Sequence, residues 1–452
     1  MTGYSSRVTT PEAMRQAGMP TSLADKMMFI AVCAVPFQQA LTIPLGFPLK
    51  ISEIFGIAAV LLYIVEGRRP ERKYAGAFFQ WSLLALTTLS TLVWLVAGPP
   101  EEVALGYDRG LTADMLLYFA YALIVILISW FAGTRLGPDW IGRGIGWAVR
   151  FAAIYSVIQG ALYLTGTSSA LSAIRGTQQI GTAFGIDLTR NGPFLEGNYL
   201  GFFAGVALFT ALRWRDRGAL IAAVFCLLYS QSTVAVVGVI VGLLVVVVLR
   251  PSGRVGAVVG LMALVGIVAI AFIDTVGVYV TRQLGKLGFI SSPELGASIE
   301  YSLRNRTATV QRGIDMSENF PLFGVGPGRF GYWDDFYTTT TSVSTATGGR
   351  GIANNAYVQI LAEEGVLAAA CFIILLAILL LRNVRGARSN LALAAFLIVG
   401  LTASPSWTVL PIWFTIAYLA TTRVQSNDLG VMSSHVVSAT RTEKLRGEDI
   451  RL

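Results

Sequence analysis

The residues of this chain able to do chemistry are arginines and carboxylates at the polar ends of apolar segments. Arg190 stands in Thr189-Arg190-Asn191-Gly192-Pro193-Phe194, just before an apolar run. Arg304, Arg306 and Arg312 recur through a later segment in which Ile299, Leu303, Val310 and Ile314 have helical spacing. A guanidinium stays charged and offers a planar fork of donors that suits phosphate oxygens. Several arginines facing one cavity would hold a diphosphate. Spread along a surface, they would contact anionic lipid headgroups instead, and spacing alone leaves both readings open.

A second constellation is the run Asn354-Asn355-Ala356-Tyr357-Val358-Gln359-Ile360-Leu361-Ala362-Glu363-Glu364-Gly365, where a long polar stretch meets an apolar helix. One of the two asparagines can serve simply as an N-cap. A carboxylate two to three turns into such a helix must pair or reach water. Glu363 therefore either pairs with an arginine or acts as a base with a raised pKa. Upstream, Gly324-Val325-Gly326-Pro327-Gly328 is either a connecting turn or a nest of backbone N–H groups for an anion. Without a following P-loop lysine, the connecting turn is favoured. The patch Tyr332-Trp333-Asp334-Asp335-Phe336-Tyr337 follows it.

The elements that must position these groups are transmembrane helices. Of 452 residues, 54% are hydrophobic and only 13% charged, against about 25% charged in soluble domains. The expected class is all-α: a polytopic transmembrane bundle of about 12 spanning helices. Apolar segments fall at 27–45, 51–66, 77–97, 112–133, 145–165, 197–212, 218–231, 233–249, 256–273, 356–381, 391–404 and 407–422. One large periplasmic loop, 274–355, carries an amphipathic helix over 297–318 on or near the membrane surface. Residues 1–26 read as a cytoplasmic N-terminal segment without a cleavable signal, 27–273 as spans one to nine, 356–422 as spans ten to twelve, and 423–452 as a disordered cytoplasmic tail. Arg and Lys gather in alternate short loops (Arg68, Arg69, Arg72, Lys73; Arg213, Arg215, Arg217; Arg382, Arg385, Arg388), which places those loops and both termini inside. The net charge of +8 therefore reads as a topology signal and not as a nucleic-acid footprint.

Cys33, Cys226 and Cys371 all fall in apolar runs and read as buried hydrophobes. The only histidine, His435, lies in the C-terminal tail. A histidine zinc site, a Ser-His-Asp triad and a membrane-core histidine base are thereby excluded. No metal site and no cofactor is expected.

Taken together, these residues resemble the O-antigen ligase/polymerase superfamily of polytopic bacterial membrane proteins. The family's loop carries an Arg on an amphipathic helix, then Pro-Leu-Phe-Gly-x-Gly, a His-Asn-x-Tyr-Leu run and Leu-x-Glu-x-Gly. This chain offers Arg306, Pro321-Leu322-Phe323-Gly324-Val325-Gly326, Asn354-Asn355-Ala356-Tyr357-Val358 and Leu361-Ala362-Glu363-Glu364-Gly365. Arg190 through Asn198 is similar to the family's Arg-x-x-Gly-x-Phe-x-x-Pro-Asn, shifted by one residue around Gly192. The resemblance implies glycan transfer from an undecaprenyl-diphosphate-linked donor to a glycan acceptor at the outer face of the bacterial inner membrane, among membrane lipids. It assigns Arg190 and Arg306 to the donor diphosphate, with arginine charge doing the work of a metal. Arg304, Arg312, Asn355 and Tyr357 would complete the binding set. The departure is Asn354, which stands where ligases carry the His proposed as base. That favours a polymerase, with Glu363 as base, over a ligase. Other readings are a reaction needing little base help, an inactivated protein, a solute transporter, and a cell-wall glycosyltransferase for which Asp274 and Asp334 are poor catalytic matches.

Overall fold

The computed structural model describes residues 22–44, 48–67, 69–98, 111–174, 176, 178–183, 186–251, 297–336, 353–403 and 406–422, together with 256, 260 and 281. The expected ninth span at 256–273, most of 274–296, the stretch 337–352 and both terminal segments lie outside the described residues.

The described chain is helical apart from two short antiparallel hairpins. Helix α1 (Leu23–Cys33) starts at a reciprocal cap, in which Ser22 Oγ accepts from Asp25 N–H and Asp25 accepts from Ser22 N–H. It is shorter than the apolar run 27–45, because Pro36 lacks the N–H a helix needs. The run instead continues into the strands β1 (Ile43–Pro44) and β2 (Pro48–Leu49). There follow α2 (Ile51–Val65), α3 (Ala77–Ala97), α4 (Leu111–Phe131) with a π turn at Ala132–Leu136, and α5 (Pro138–Leu164). Gly137 separates the π turn from α5 at φ +81°, and Pro138 opens the new helix. A 3-10 turn and the hairpin β3 (Ile180–Ala183) and β4 (Ile186–Thr189) lead to α6 (Gly197–Trp214), α7 (Arg217–Ser230) and α8 (Thr233–Leu249).

The later elements are α9 (Ala297–Asn319), α10 (Phe330–Phe336), α11 (Ala356–Glu364), α12 (Val366–Val384), α13 (Arg388–Gly400) with a 3-10 turn at Leu401–Ala403, and α14 (Leu410–Thr421). The segment expected as one helix over 356–381 is two, broken at Gly365, φ +86°. Val366 N–H bonds to the Pro321 carbonyl (2.8 Å), so the backbone of another segment crosses at the break. A Cβ at Gly365 would collide with Leu322.

Among the described residues, Ala77–Ala97, Thr112–Leu136, Pro138–Leu164 and Val366–Val384 are long and apolar enough to cross a membrane, and five shorter apolar helices accompany them. The main core joins these helices. In it Phe396 of α13 inserts between α6 and α8, at positions where Gly205 and Gly238 leave room. A smaller core of Trp94, Met115, Met316, Val325, Phe330, Tyr332, Trp333, Val358 and Ala362 fastens α9, α10 and α11 to the ends of α3 and α4.

Helix α9 covers the expected 297–318, but its packed face is Thr309, Gly313 and Met316, while Val310 and Ile314 are half-buried. The side chains of Ile299 and Leu303 lie outside the described residues. Gly313 sets this face, because a side chain there would occupy the space of Val358.

Candidate functional site

Arg190 follows β4 and is seated by four segments. Its N–H donates to the Gln179 carbonyl (2.9 Å). Gln179 in turn accepts at Oε1 from Gly197 N–H (2.8 Å) and donates its own N–H to Asn191 Oδ1 (3.0 Å). Asn191 is fully buried, and Gln159 of α5 also donates to it (3.1 Å). These bonds hold the Arg190–Gly197 segment, which follows the hairpin, against α5 and meet its backbone groups' need for partners.

The Arg190 side chain runs through a slot between two glycines. A Cβ on Gly181 would stand 2.8 Å from Arg190 Cδ, and one on Gly197 would meet both Arg190 Nε and the Ser230 carbonyl. At the end of the slot, Arg190 Nη2 donates to Asn198 Oδ1 (3.4 Å), which also accepts from Ser232 Oγ (3.2 Å). Asn198 lies in the first turn of α6 and Ser232 is the N-cap of α8. Two helix N-termini, the ends that favour negative charge, thus meet beside one guanidinium. They border a pocket lined by Asn198, Tyr199, Phe202, Ser232, Val234, Ala235, Gly400 and Ala403.

Helix α11 adjoins the far wall of this pocket. Tyr357 OH donates to the Ile398 carbonyl of α13 (2.8 Å), and α11 packs on the 3-10 turn Leu401–Ala403. Asn355 caps α11, its Oδ1 accepting from Tyr357 N–H (3.0 Å) and Val358 N–H (3.3 Å). Asn354 adopts φ +50°, a left-handed conformation that asparagine takes more readily than most residues.

Glu363 is 2% exposed at the other end of α11. Its Oε1 accepts from Phe330 N–H (3.1 Å) and its Oε2 from Gln359 Nε2 (3.0 Å). Burial pushes its carboxyl up to about 7, against the opposing pull of the Phe330 and Gly328 N–H groups and Gln359. The glycine turn is therefore a connector docked on the end of α11, and the Phe330 N–H just beyond it reaches the Glu363 carboxyl. Gly324, Gly326 and Gly328 all have positive φ, and Val325 and Gly326 donate to the Ala362 and Glu363 carbonyls (2.8 and 3.0 Å). Gln359 also donates to Tyr118 OH of α4 (2.7 Å). Beside Glu363, Glu364 is 1% exposed, and burial pushes its carboxyl well up.

Helix α9 runs parallel to α11. Gly313 faces Val358 and Ala362, and Pro321 faces Val366. Arg306 lies two turns before Gly313 on α9 and is half-buried. Arg312 is half-buried and donates to Thr309 Oγ1 (3.4 Å). The side chain of Arg304 lies outside the described residues, as do those of Asp334 and Asp335, and Asp274 lies outside them entirely.

The structure places Arg190 beside Asn198 and Ser232, places Asn354, Asn355, Tyr357 and Glu363 at or along α11, and leaves Arg306 and Arg312 on α9. Sequence reasoning missed Ser232, Gln179, Gln359 and Arg329. Ser232 falls between the apolar runs 218–231 and 233–249, where Gln231 turns the chain at φ +50°. Arg329 is fully buried, with Nε and both Nη atoms lacking a hydrogen-bond partner and its guanidinium 5.5 Å from the Trp94 ring. Burial draws its pKa down to about 10. Among the described residues no three His, Cys, Asp or Glu side chains gather as they would to hold a metal ion.

Two comparisons bear on identity. A family model described as O-antigen ligase matches residues 218–373, which include α7, α8, α9, the glycine turn and α11. The chain is also 27% identical over 322 residues to the exopolysaccharide production protein ExoQ of Rhizobium meliloti (strain 1021), covering 63% of this chain and 68% of that protein. Both bear out the resemblance read from 189–201 and 304–365, although the Arg190 segment itself precedes the family match.

Proposed function

We propose that this chain, an integral membrane protein of the O-antigen ligase/polymerase type acting in polysaccharide biosynthesis, lengthens a glycan carried on undecaprenyl diphosphate. The observation that carries the reading is the seat of Arg190, where a guanidinium in a glycine slot meets the N-termini of α6 and α8 at a pocket with an apolar floor. A diphosphate suits the charge of the guanidinium and of the two helix N-termini.

In the reaction the acceptor hydroxyl attacks the anomeric carbon of the donor glycan. The new glycosidic C–O bond forms as the bond to the diphosphate oxygen breaks. The leaving diphosphate takes the electron pair, and Arg190 and Arg306 stabilise its growing charge. Arg304 and Arg312 add positive field from α9. Asn354, Asn355 and Tyr357, at the start of α11, form the rim of the lipid-diphosphate site. Glu363 takes the acceptor's proton, a role for which a pKa near neutrality is suited. To do so it must exchange its neutral Gln359 partner for the acceptor hydroxyl.

Elongation is favoured over transfer to a finished lipid acceptor by Asn354, which has no useful basicity, and by the relative named for exopolysaccharide production. The site would face outside, with both termini cytoplasmic. The test is polymer length in cells carrying Arg190→Ala or Arg306→Ala. Each is expected to leave only short glycans. Normal polymer from a stably expressed double variant would sink the proposal.

A further inference from the structure

We infer that Ser232 is a positioning residue for Arg190, acting through Asn198; this rests on the reading of Arg190 as the donor diphosphate's ligand. The argument is one of donors and acceptors. Ser232 Oγ accepts from Ala235 N–H (3.4 Å) as the cap of α8, which leaves its hydroxyl proton to donate. It donates to Asn198 Oδ1 (3.2 Å), so the Asn198 amide must turn its oxygen toward Ser232 and Arg190 and its NH2 group away. Were the amide reversed, its NH2 would face a guanidinium that can only donate. Arg190, which can only donate, sets that amide orientation, and Ser232 holds Asn198 in it by donating to the same oxygen. Its own place is fixed, because it is 2% exposed and its N–H donates to Ser230 Oγ (3.2 Å).

The two glycines close the other conformations. Arg190 passes between Gly181 and Gly197, where any added side chain would meet it. A long, rotamer-rich side chain is therefore ordered before the ligand arrives, which removes part of the entropy cost of binding.

The experiment uses the full chain in nanodiscs and undecaprenyl diphosphate as the probe, with affinity measured for a double-mutant cycle. Arg190→Ala should weaken binding strongly. Ser232→Ala and Asn198→Ala should each weaken it about three- to tenfold, the effect of one hydrogen bond. Ser232→Thr keeps both the cap and the donor and should restore wild-type affinity. In the Arg190→Ala background, Ser232→Ala should change nothing further, a result that a merely structural role for the serine cannot give. An equal loss from Ser232→Ala in both backgrounds, or no loss in either, overturns the positioning role while leaving the diphosphate reading intact. Wild-type affinity in Arg190→Ala overturns the diphosphate reading and the positioning role with it.

Discussion

At the scale of single residues, charge and burial set what can be tested. Glu363 is buried with its carboxyl raised to about 7. A base works deprotonated, so polymerisation should rise with pH through about 7 and level off above it. Glu363→Gln should abolish turnover, yet keep undecaprenyl diphosphate binding, since the amide oxygen can still accept from Phe330 N–H. Turnover retained by a folded Glu363→Gln protein would confine the residue to holding the glycine turn. Arg329 offers a contrasting test. It is fully buried over the Trp94 ring, and none of its side-chain nitrogens has a hydrogen-bond partner among the described residues. Burying an uncompensated charge is costly, and apolar replacement of buried charge is often neutral or stabilising by about 1–4 kcal/mol. Arg329→Met should therefore raise the melting temperature in detergent, and a lower one would show that the guanidinium has a stabilising partner.

At the scale of elements, glycines decide how the site is assembled. Gly313 lets α9 rest on α11, and Gly365 ends α11 where the Pro321–Leu322 backbone crosses. Gly313→Leu would overpack that contact at a cost of about 1–3 kcal/mol. It should push α9, which carries Arg306, away from α11 and shorten the polymer, while leaving Arg190-dependent lipid binding in place. Equal loss of both activities would mean that the Arg190 seat and the α9–α11 contact do not assemble separately. The helices themselves were largely legible: α3, α7 and α8 fall within a residue or two of their apolar runs. The break at Gly365 was not, because an apolar pattern continues across it and only a segment more than forty residues upstream forces the turn.

At the scale of the whole molecule, the described helices form one membrane core with a smaller aromatic core that fastens α9–α11 to α3 and α4. If the arginine-rich loops lie inside, reporter fusions at the C-terminus, near Arg69 and near Arg215 should read cytoplasmic, and one inserted near residue 340 should read outside. A cytoplasmic signal near 340 would move the α11 cluster to the wrong face for a lipid-linked donor.

By itself the sequence determined the helical, membrane-bound class, the helix α9 that carries Arg306, and the resemblance that joins Arg190, Arg306 and Glu363. These depend on composition, periodicity and local motifs, which neighbouring residues settle. Only the tertiary structure decided that Ser232 reaches Arg190 through Asn198 and that the Phe330 N–H holds the Glu363 carboxyl. Each is a hydrogen bond whose geometry depends on where the chain has already been placed. A buried donor or acceptor must find its partner in space, and the distance along the chain does not say which partner that will be.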